Sequence, residues 1–263
     1  MDALCLIASP RTGTRHLSEV LRNIEGLASY LDVFDPAGAS GIDETGWPLL
    51  RTASGVPFGT PADPALSAFA RSNPAGWLDA LEQATAAQGK RFMSFRLLDQ
   101  HLPTGAALDA LMSHAGLRVV MVVRKQIDAY VSWRKGSELN RWRDVDTTGF
   151  QPELDADHFE RWLDGQQHWY EMWRSHLSRN YLPAPIVRYE LDIDQPPEQI
   201  ARRFVAIAAQ VGVALKTPAT LMHRGLMKQD RSTSAFDKVR NWTEFSREIF
   251  SRGLERRAFG YPL

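Results

Sequence analysis

The sequence is poor in cysteine and has no long apolar run. Cys5 is the only cysteine among 263 residues, so this chain cannot form an internal disulfide, which suits a reducing compartment. No apolar run approaches the ~20 residues that span a bilayer. The first residues also lack the basic stretch and long apolar core of a signal peptide. From these absences we expect a cytoplasmic protein without a membrane span.

Charge of one sign is not in excess either. Lys and Arg number 31 together, as do Asp and Glu, so the formal net charge is zero. Proteins that bind nucleic acid or a membrane over a whole face are usually basic, so we expect neither partner. A local basic pocket for a small anion remains compatible with this balance.

The hydrophobic pattern predicts one α/β domain over residues 1–263. Three of four strand-like runs are almost continuously apolar, which is typical of parallel strands buried on both faces. The runs lie at 3–8, 91–98, 118–123 and 184–189, with a weaker candidate at 29–34. Helical patterns alternate with them, at 15–24, 77–88, 106–115, 127–133, 158–177 and 198–211. This alternation predicts a doubly wound, mainly parallel sheet with helices on both faces.

Two stretches interrupt the alternation. Residues 36–64 are rich in Gly and Pro, and residues 135–154 are polar and irregular. Long segments without secondary structure are usually functional or disordered in a compact domain. We expect these two segments to form the pocket for a second substrate.

A hydroxyl-rich basic turn follows the first apolar run. The order strand, tight loop and helix brings unpaired N–H groups and a helix N-terminus to one point, where an anion binds well. The turn lacks the Gly-Lys pair of an ATP-binding loop of the Walker A type. It reads Pro10, Arg11, Thr12, Gly13, Thr14, and Arg15 follows it.

A second basic position follows the apolar run at 118–123. Arg124 stands where that strand should end, and Ser132 lies in the predicted helix after it. An arginine at a strand end is by itself weak evidence for a site. In a parallel sheet, however, ligands bind outside the carboxyl ends of the strands, where the first loop also lies.

Together the two segments resemble the cofactor-binding segments of the sulfotransferases that use 3′-phosphoadenylyl sulfate (PAPS). In that family a loop of the type P-[KR]-[ST]-G-[ST] binds the 5′-phosphosulfate. An Arg after an apolar strand, followed after seven residues by Ser, binds the 3′-phosphate. Arg124 and Ser132 have this spacing. The resemblance implies a P-loop NTPase-like fold, and an enzyme that transfers a sulfuryl group to an acceptor hydroxyl without requiring a metal.

Further segments resemble the bacterial, glycan-modifying branch of the family. Residues 30–36 are similar to G-E-x-F-N-P, with Asp32 at the position of Glu, and residues 95–102 are similar to F-K-I-F-P-D-H-L. Residues 188–191 are similar to a Y-E-D-L segment, and residues 227–242 to a segment that folds over the nucleotide. The resemblance therefore implies a sugar or glycolipid as acceptor. The further cofactor contacts that it implies are Lys228, Gln229, Arg231, Arg240 and Trp242.

The resemblance also implies roles for the first loop. Thr12, Gly13 and Thr14 would bind the 5′-phosphate, Arg15 would be a further cofactor contact, and Arg11 would stabilise the departing oxygen. Arginine keeps its proton near neutral pH, so Arg11 would act by charge and not as an acid.

The base that accepts the proton of the acceptor has two candidates. Asp32 occupies the Glu position of the glycan branch, but its side chain is one methylene shorter. His101 lies in a His-Leu-Pro triplet similar to the one that carries the catalytic His of cytosolic sulfotransferases, and its ordinary pKa near ~6.5 suits the role. We favour Asp32 and keep His101 as the alternative.

Three other functions stay open from the residues alone. A nucleotide-dependent kinase or phosphotransferase could use a similar fold, although the Gly-Lys pair and an evident Asp for magnesium are missing from the sequence. A sulfotransferase for a non-carbohydrate alcohol or phenol is a second alternative, and a non-catalytic anion-binding module is a third. His158, His168 and His176 lack the spacing of a helical metal pair, and we expect no metal site.

Overall fold

A five-stranded parallel sheet lies at the centre of the fold. A computed structural model describes residues 1–102, 105–142, 145–222, 226, 228–232 and 234–263. Each strand pair in the described chain runs parallel. The strands are β1 (Asp2–Ala8), β2 (Leu27–Ser29), β3 (Phe92–Leu97), β4 (Leu117–Val123) and β5 (Ile186–Arg188).

Helices connect the strands and cover the sheet. They are α1 (Thr14–Leu21), α2 (Gly46–Ser54), α3 (Pro64–Ser72), α4 (Pro74–Ala87), α5 (Ala106–Met112), α6 (Gln126–Leu139), α7 (Ala156–Arg179), α8 (Pro197–Gln210), α9 (Ala235–Lys238), α10 (Trp242–Ser251) and α11 (Glu255–Ala258). A π-helical turn, Tyr189–Ile193, follows β5 directly. None of the helices in the described chain has both the length and the apolar character needed to cross a membrane.

Alternate residues of β1 face two separate hydrophobic cores. Cys5 and Ile7 pack into a core that includes side chains of α4, α5 and α7. Leu4 and Leu6 pack into a second core with α1 and α8. The residues of β1 that face these cores are fully buried, as a strand in the middle of a parallel sheet must be. The predicted doubly wound fold with helices on both faces is thus confirmed.

The strand order places a ligand crevice between β1 and β4. The order is β2-β3-β1-β4-β5, so the chain leaves β1 towards one edge and leaves β4 towards the other. Neighbouring strands whose connections run in opposite directions leave a gap at their carboxyl ends, which is where ligands bind in open α/β sheets. The predicted anion-binding turn at 10–14, called the anion loop below, follows the end of β1, and Arg124 follows the end of β4.

Two predictions of local structure were wrong. The weak strand at 29–34 is shorter and lies earlier, at Leu27–Ser29. Tyr30 and Leu31 still bond to β3, through the Tyr30 N–H and the Leu31 carbonyl oxygen, whereas the Leu31 N–H bonds to the carbonyl oxygen of Ser40. The segment 36–64 is not without secondary structure, since it contains α2, whose Leu50 is fully buried. In both cases contacts with residues distant in the sequence determine the local structure, and a local sequence pattern does not encode such contacts.

The second irregular segment, at 135–154, begins inside a helix. Helix α6 continues to Leu139, and Lys135 on it is buried. The long aliphatic stem of this lysine lets it occupy an interior position of the helix while its ammonium reaches oxygen atoms beyond it.

Candidate functional site

The loop after β1 has an uncommon backbone. Arg11 has φ = 71°, a left-handed conformation that side chains other than glycine seldom adopt, and Gly13 has φ = 83°. A Cβ atom on Gly13 would lie 2.5 Å from Cδ2 of Tyr189, so only glycine fits there. The Thr12 hydroxyl closes the turn by donating to the Ser9 carbonyl oxygen over 2.9 Å. Helix α1 then begins without a described side-chain cap, and Thr14 and the half-buried Arg15 lie in its first turn.

Two side chains of α7 form hydrogen bonds with the backbone at the end of β1. The Tyr170 hydroxyl accepts the Ser9 N–H at 3.0 Å and donates to the Val122 carbonyl oxygen at 2.6 Å. Trp169 Nε1 donates to the Ala8 carbonyl oxygen at 3.1 Å. Ala8 and Val122 are the last register partners of β1 and β4, so the Tyr170 hydroxyl continues the ladder where the strands separate. The Tyr170 side chain is fully buried.

Arg11 joins the two predicted cofactor segments. Its Nε donates to Ser132 Oγ on α6 at 2.9 Å, and its Nη1 donates to the Trp142 carbonyl oxygen at 3.0 Å. Its Nη2 donates to the side-chain oxygen of Gln229. Burial, with the nearby charge of Arg124, lowers the pKa of Arg11 to about 10, so the guanidinium still carries its charge at neutral pH.

Arg124 lies beside the same loop. Its Nη1 donates to the Arg11 carbonyl oxygen at 2.9 Å, and its guanidinium carbon lies 4.1 Å from the ring centroid of Tyr189. Its buried Nε has no hydrogen-bond partner among the described residues. Two guanidinium groups next to an uncapped helix start repel each other, and an anion between them would remove that repulsion.

The segment from 228 to 232 crosses over this cluster. The Thr147 N–H donates to the Gln229 carbonyl oxygen at 2.7 Å, and the buried Lys135 Nζ lies 2.8 Å from Asp230 Oδ2. Lys228 Nζ pairs with Asp194 Oδ2 at 2.7 Å. The neighbouring residues therefore fix Gln229 against Arg11.

The remaining predicted cofactor residues lie away from Arg11. Arg231 is exposed and pairs with Asp146. Arg240 is also exposed, and the ring of Trp242 packs 6.1 Å from that of Phe245. In the part of the chain that the structure describes, no contact joins Arg231, Arg240 or Trp242 to Arg11 or Arg124.

The two candidate bases share one buried cluster. Arg96 on β3 donates through Nε and Nη2 to the two carboxylate oxygens of Asp32. His101 Nε2 lies 3.7 Å from Asp32 Oδ1. Arg96 Nη1 also reaches Thr14 Oγ1, at 3.4 Å, which connects the cluster to the first turn of α1. The acid–base candidates and the anion loop thus belong to one continuous site.

Hydrogen bonding decides which nitrogen of His101 carries the proton. Its Nδ1 accepts the Leu98 N–H at 3.3 Å, so the neutral ring carries its hydrogen on Nε2, towards Asp32. Burial lowers the pKa of His101, which favours this neutral form. At Nε2 the ring therefore presents a donor and not the lone pair that a base needs.

Sequence reasoning gave no role to Arg96, Tyr170 and Tyr189. An arginine inside the apolar run 91–98 is a detectable signal, because a buried charge needs a partner. Tyr170 lies within the helix predicted at 158–177, and nothing in its spacing points to the end of β1. Tyr189 was noted only within the segment at 188–191.

One group of potential metal ligands exists among the described residues. Ligand atoms of Asp79, Glu82 and His114 lie within 4.8 Å of one another. The amino group of Met1 lies 3.3 Å from Glu82, so this group is at the start of β1, opposite the anion loop.

Comparison with known proteins gives no match, either to a protein-family model or to a curated protein. The chemistry of the site itself therefore carries the functional conclusion. It offers guanidinium and hydroxyl donors at the β1/β4 crevice, and a buried carboxylate next to them.

Proposed function

We propose that this chain is a sulfotransferase that moves a sulfuryl group from PAPS to a hydroxyl group of an acceptor, in the first place a sugar or glycolipid. The observation that carries the proposal is that Arg11 contacts both residues of the second motif, Ser132 and Arg124. Its Nε donates to Ser132 Oγ at 2.9 Å, and its carbonyl oxygen accepts from Arg124 at 2.9 Å. Residues at the family's positions thus lie together at the crevice.

The donors fit a nucleotide that carries anions at both ends. The N–H groups at the start of α1 suit the 5′-phosphosulfate. Arg124 has an unpartnered Nε among the described residues, and the Ser132 hydroxyl, which accepts from Arg11, keeps its hydrogen for donation. These two groups suit the 3′-phosphate, because charge-assisted hydrogen bonds to phosphate are strong.

The proposed reaction needs a base and a cation but no redox step. The acceptor oxygen forms a bond to sulfur, the bond from sulfur to the phosphate oxygen breaks, and that oxygen keeps the electron pair. Asp32 takes the proton of the acceptor hydroxyl. Arg11 remains protonated and stabilises the negative charge on the departing phosphate by its own charge.

Titration calorimetry with 3′,5′-ADP, ADP and ATP tests the nucleotide assignment. We expect the 3′-phosphate to raise affinity, so that 3′,5′-ADP binds more tightly than ADP and ATP. Preference for ATP, together with phosphoryl transfer to an acceptor, would instead establish the kinase alternative.

Incubation with radiolabelled PAPS tests the transfer itself. A panel of sugars, glycolipids, simple alcohols and phenols should give a labelled sugar or glycolipid product. Label transferred only to phenols or simple alcohols would keep the reaction and replace the acceptor class. Tight 3′,5′-ADP binding without transfer to any acceptor would indicate a binding module.

A further inference from the structure

We propose that Arg96 is a positioning residue for Asp32, which fixes the rotation of this buried carboxylate and its place relative to the anion loop. The chemical use of Asp32 as a base rests on the proposed function, but the effect of Arg96 on Asp32 does not. Neither the motifs nor the resemblance assigned Arg96 a role.

The geometry is that of a two-pronged ion pair in the interior. Nε and Nη2 of Arg96 donate to separate oxygens of Asp32, and the side chains are 13% and 4% exposed. A planar guanidinium matches a carboxylate in this way and fixes its rotation as well as its position. A lysine would supply the charge without fixing the rotation.

Arg96 is the cation in direct contact with Asp32 among the described residues. The other titratable neighbour, His101, is held neutral by burial, and its Nε2 is 3.7 Å from Asp32 Oδ1. Asp35 faces His101 from the same loop as Asp32, and Arg71 on α3 donates to the His101 carbonyl oxygen at 3.1 Å. Among the described residues, Arg96 is therefore the charged side chain that holds the Asp32 carboxylate in place.

The same guanidinium reaches the anion loop. Arg96 Nη1 lies 3.4 Å from Thr14 Oγ1, in the first turn of α1. Arg96 also pairs with Leu6 in the register of β3 and β1, so its backbone lies beside the strand that leads into the loop. One side chain thus sets the distance between the carboxylate and the group that the loop would bind.

Carboxyl carbon NMR of the full chain, labelled at aspartate, tests the inference without any activity. Asp32→Asn identifies the Asp32 signal. We expect Arg96→Lys, which keeps the charge and loses the two-pronged contact, to shift the Asp32 carboxyl signal at neutral pH. Arg118→Lys is the matched control and should leave that signal in place, since Arg118 pairs with Asp2 at the other end of the sheet.

Kinetics add the part that rests on the proposed function. Turnover in Arg96→Lys should fall at least tenfold with an unchanged KM for PAPS, and Arg118→Lys should keep full turnover. A merely structural role would lower stability and leave the turnover of the folded variant unchanged.

An unchanged Asp32 signal in folded Arg96→Lys, or full turnover in that variant, would overturn the inference. Should Arg96→Lys fail to fold, Arg96→Gln is measured in the same way, and an unchanged Asp32 signal in it would overturn the inference. If no sulfuryl transfer occurs at all, the proposed function fails, while the NMR signal still decides whether Arg96 positions Asp32.

Discussion

Arg11 Nε donates a hydrogen bond to Ser132 Oγ over 2.9 Å, although 121 residues separate them in the chain. The bond connects the loop after β1 with the helix after β4, across the crevice where the two strands diverge. It makes one basic cluster of two segments that the sequence presents separately, and the predictions below begin from this cluster.

Removal of the Arg124 side chain should weaken binding of 3′,5′-ADP about 10- to 150-fold, because a lost charged hydrogen bond is worth ~1.5–3 kcal/mol. Binding of 5′-AMP should change little, since it lacks the 3′-phosphate. Calorimetry on Arg124→Ala measures both affinities. Arg118→Ala, on the same strand but paired with Asp2, is the control. Equal losses for the two nucleotides would contradict the assignment of Arg124 to the 3′-phosphate.

Replacement of Asp32 by Asn should lower turnover by about 10²–10⁴-fold, the usual contribution of a positioned base. Nucleotide affinity should stay nearly constant, because the amide keeps the shape of the carboxylate and loses only the proton acceptor. His101→Gln should cost less, since neutral His101 presents a donor at Nε2. Stopped assays over a range of pH measure the effect. High activity in Asp32→Asn combined with an inactive His101→Gln would assign the base to His101.

Chelation should leave activity unchanged, because Arg11 and Arg124 supply the positive charge that a metal would otherwise provide. Assays with excess EDTA measure this. Asp79→Asn removes one ligand of the group of potential metal ligands beside Met1, and this variant should also keep full activity. Activity that disappears with EDTA and returns with magnesium would support the kinase alternative.

Removal of the Tyr170 hydroxyl should destabilise the protein and the anion loop together. Tyr170→Phe leaves the buried Ser9 N–H and Val122 carbonyl oxygen without this partner, at a cost of about 1–3 kcal/mol for each unsatisfied group. Urea unfolding measures the loss, and calorimetry should show weaker 3′,5′-ADP binding. Tyr181→Phe is the control, because Tyr181 is 96% exposed. Unchanged nucleotide affinity in a destabilised Tyr170→Phe would limit this hydroxyl to packing.

Stability should fall as the pH drops below the ordinary His pKa of ~6.5. Burial lowers the pKa of His101 in the folded chain. As the pH falls, the unfolded chain therefore binds the proton first, and proton binding stabilises the unfolded state relative to the folded one. Urea unfolding at several pH values measures how steeply the free energy of unfolding changes with pH. This slope should be smaller in His101→Gln, by at most about 1.4 kcal/mol per pH unit. Burial also lowers the pKa values of His16 and His158, so part of the pH dependence should remain in His101→Gln. An unchanged slope would show that His101 does not titrate differently in the two states.

The sheet was predictable because its signal is local. Three strands are continuous apolar runs, and a parallel sheet places the loop after β1 and Arg124 after β4 at one edge. The prediction that Arg11, Arg124 and Ser132 belong to one region rested on that rule together with the resemblance to the PAPS-dependent sulfotransferases. The structure brings them into direct contact.

The pairing of Asp32 with Arg96 was not predictable in the same way. It depends on β3 lying between β2 and β1, and strand order is not contained in any local pattern. Helix α2 was missed because its sequence is rich in turn residues on both sides, and its burial against α4 stabilises it. The contacts of Arg231, Arg240 and Trp242 depend on the path of an irregular segment, which periodicity does not describe.

The Tyr170 hydroxyl also has a consequence for synthesis on the ribosome. Ser9 and the tyrosine that holds it are 161 residues apart. At an elongation rate of roughly 5–20 residues per second, β1 and its loop emerge on the order of ten to thirty seconds before this partner. Through that interval the nascent chain carries an unfinished loop, which is complete only when α7 has been translated.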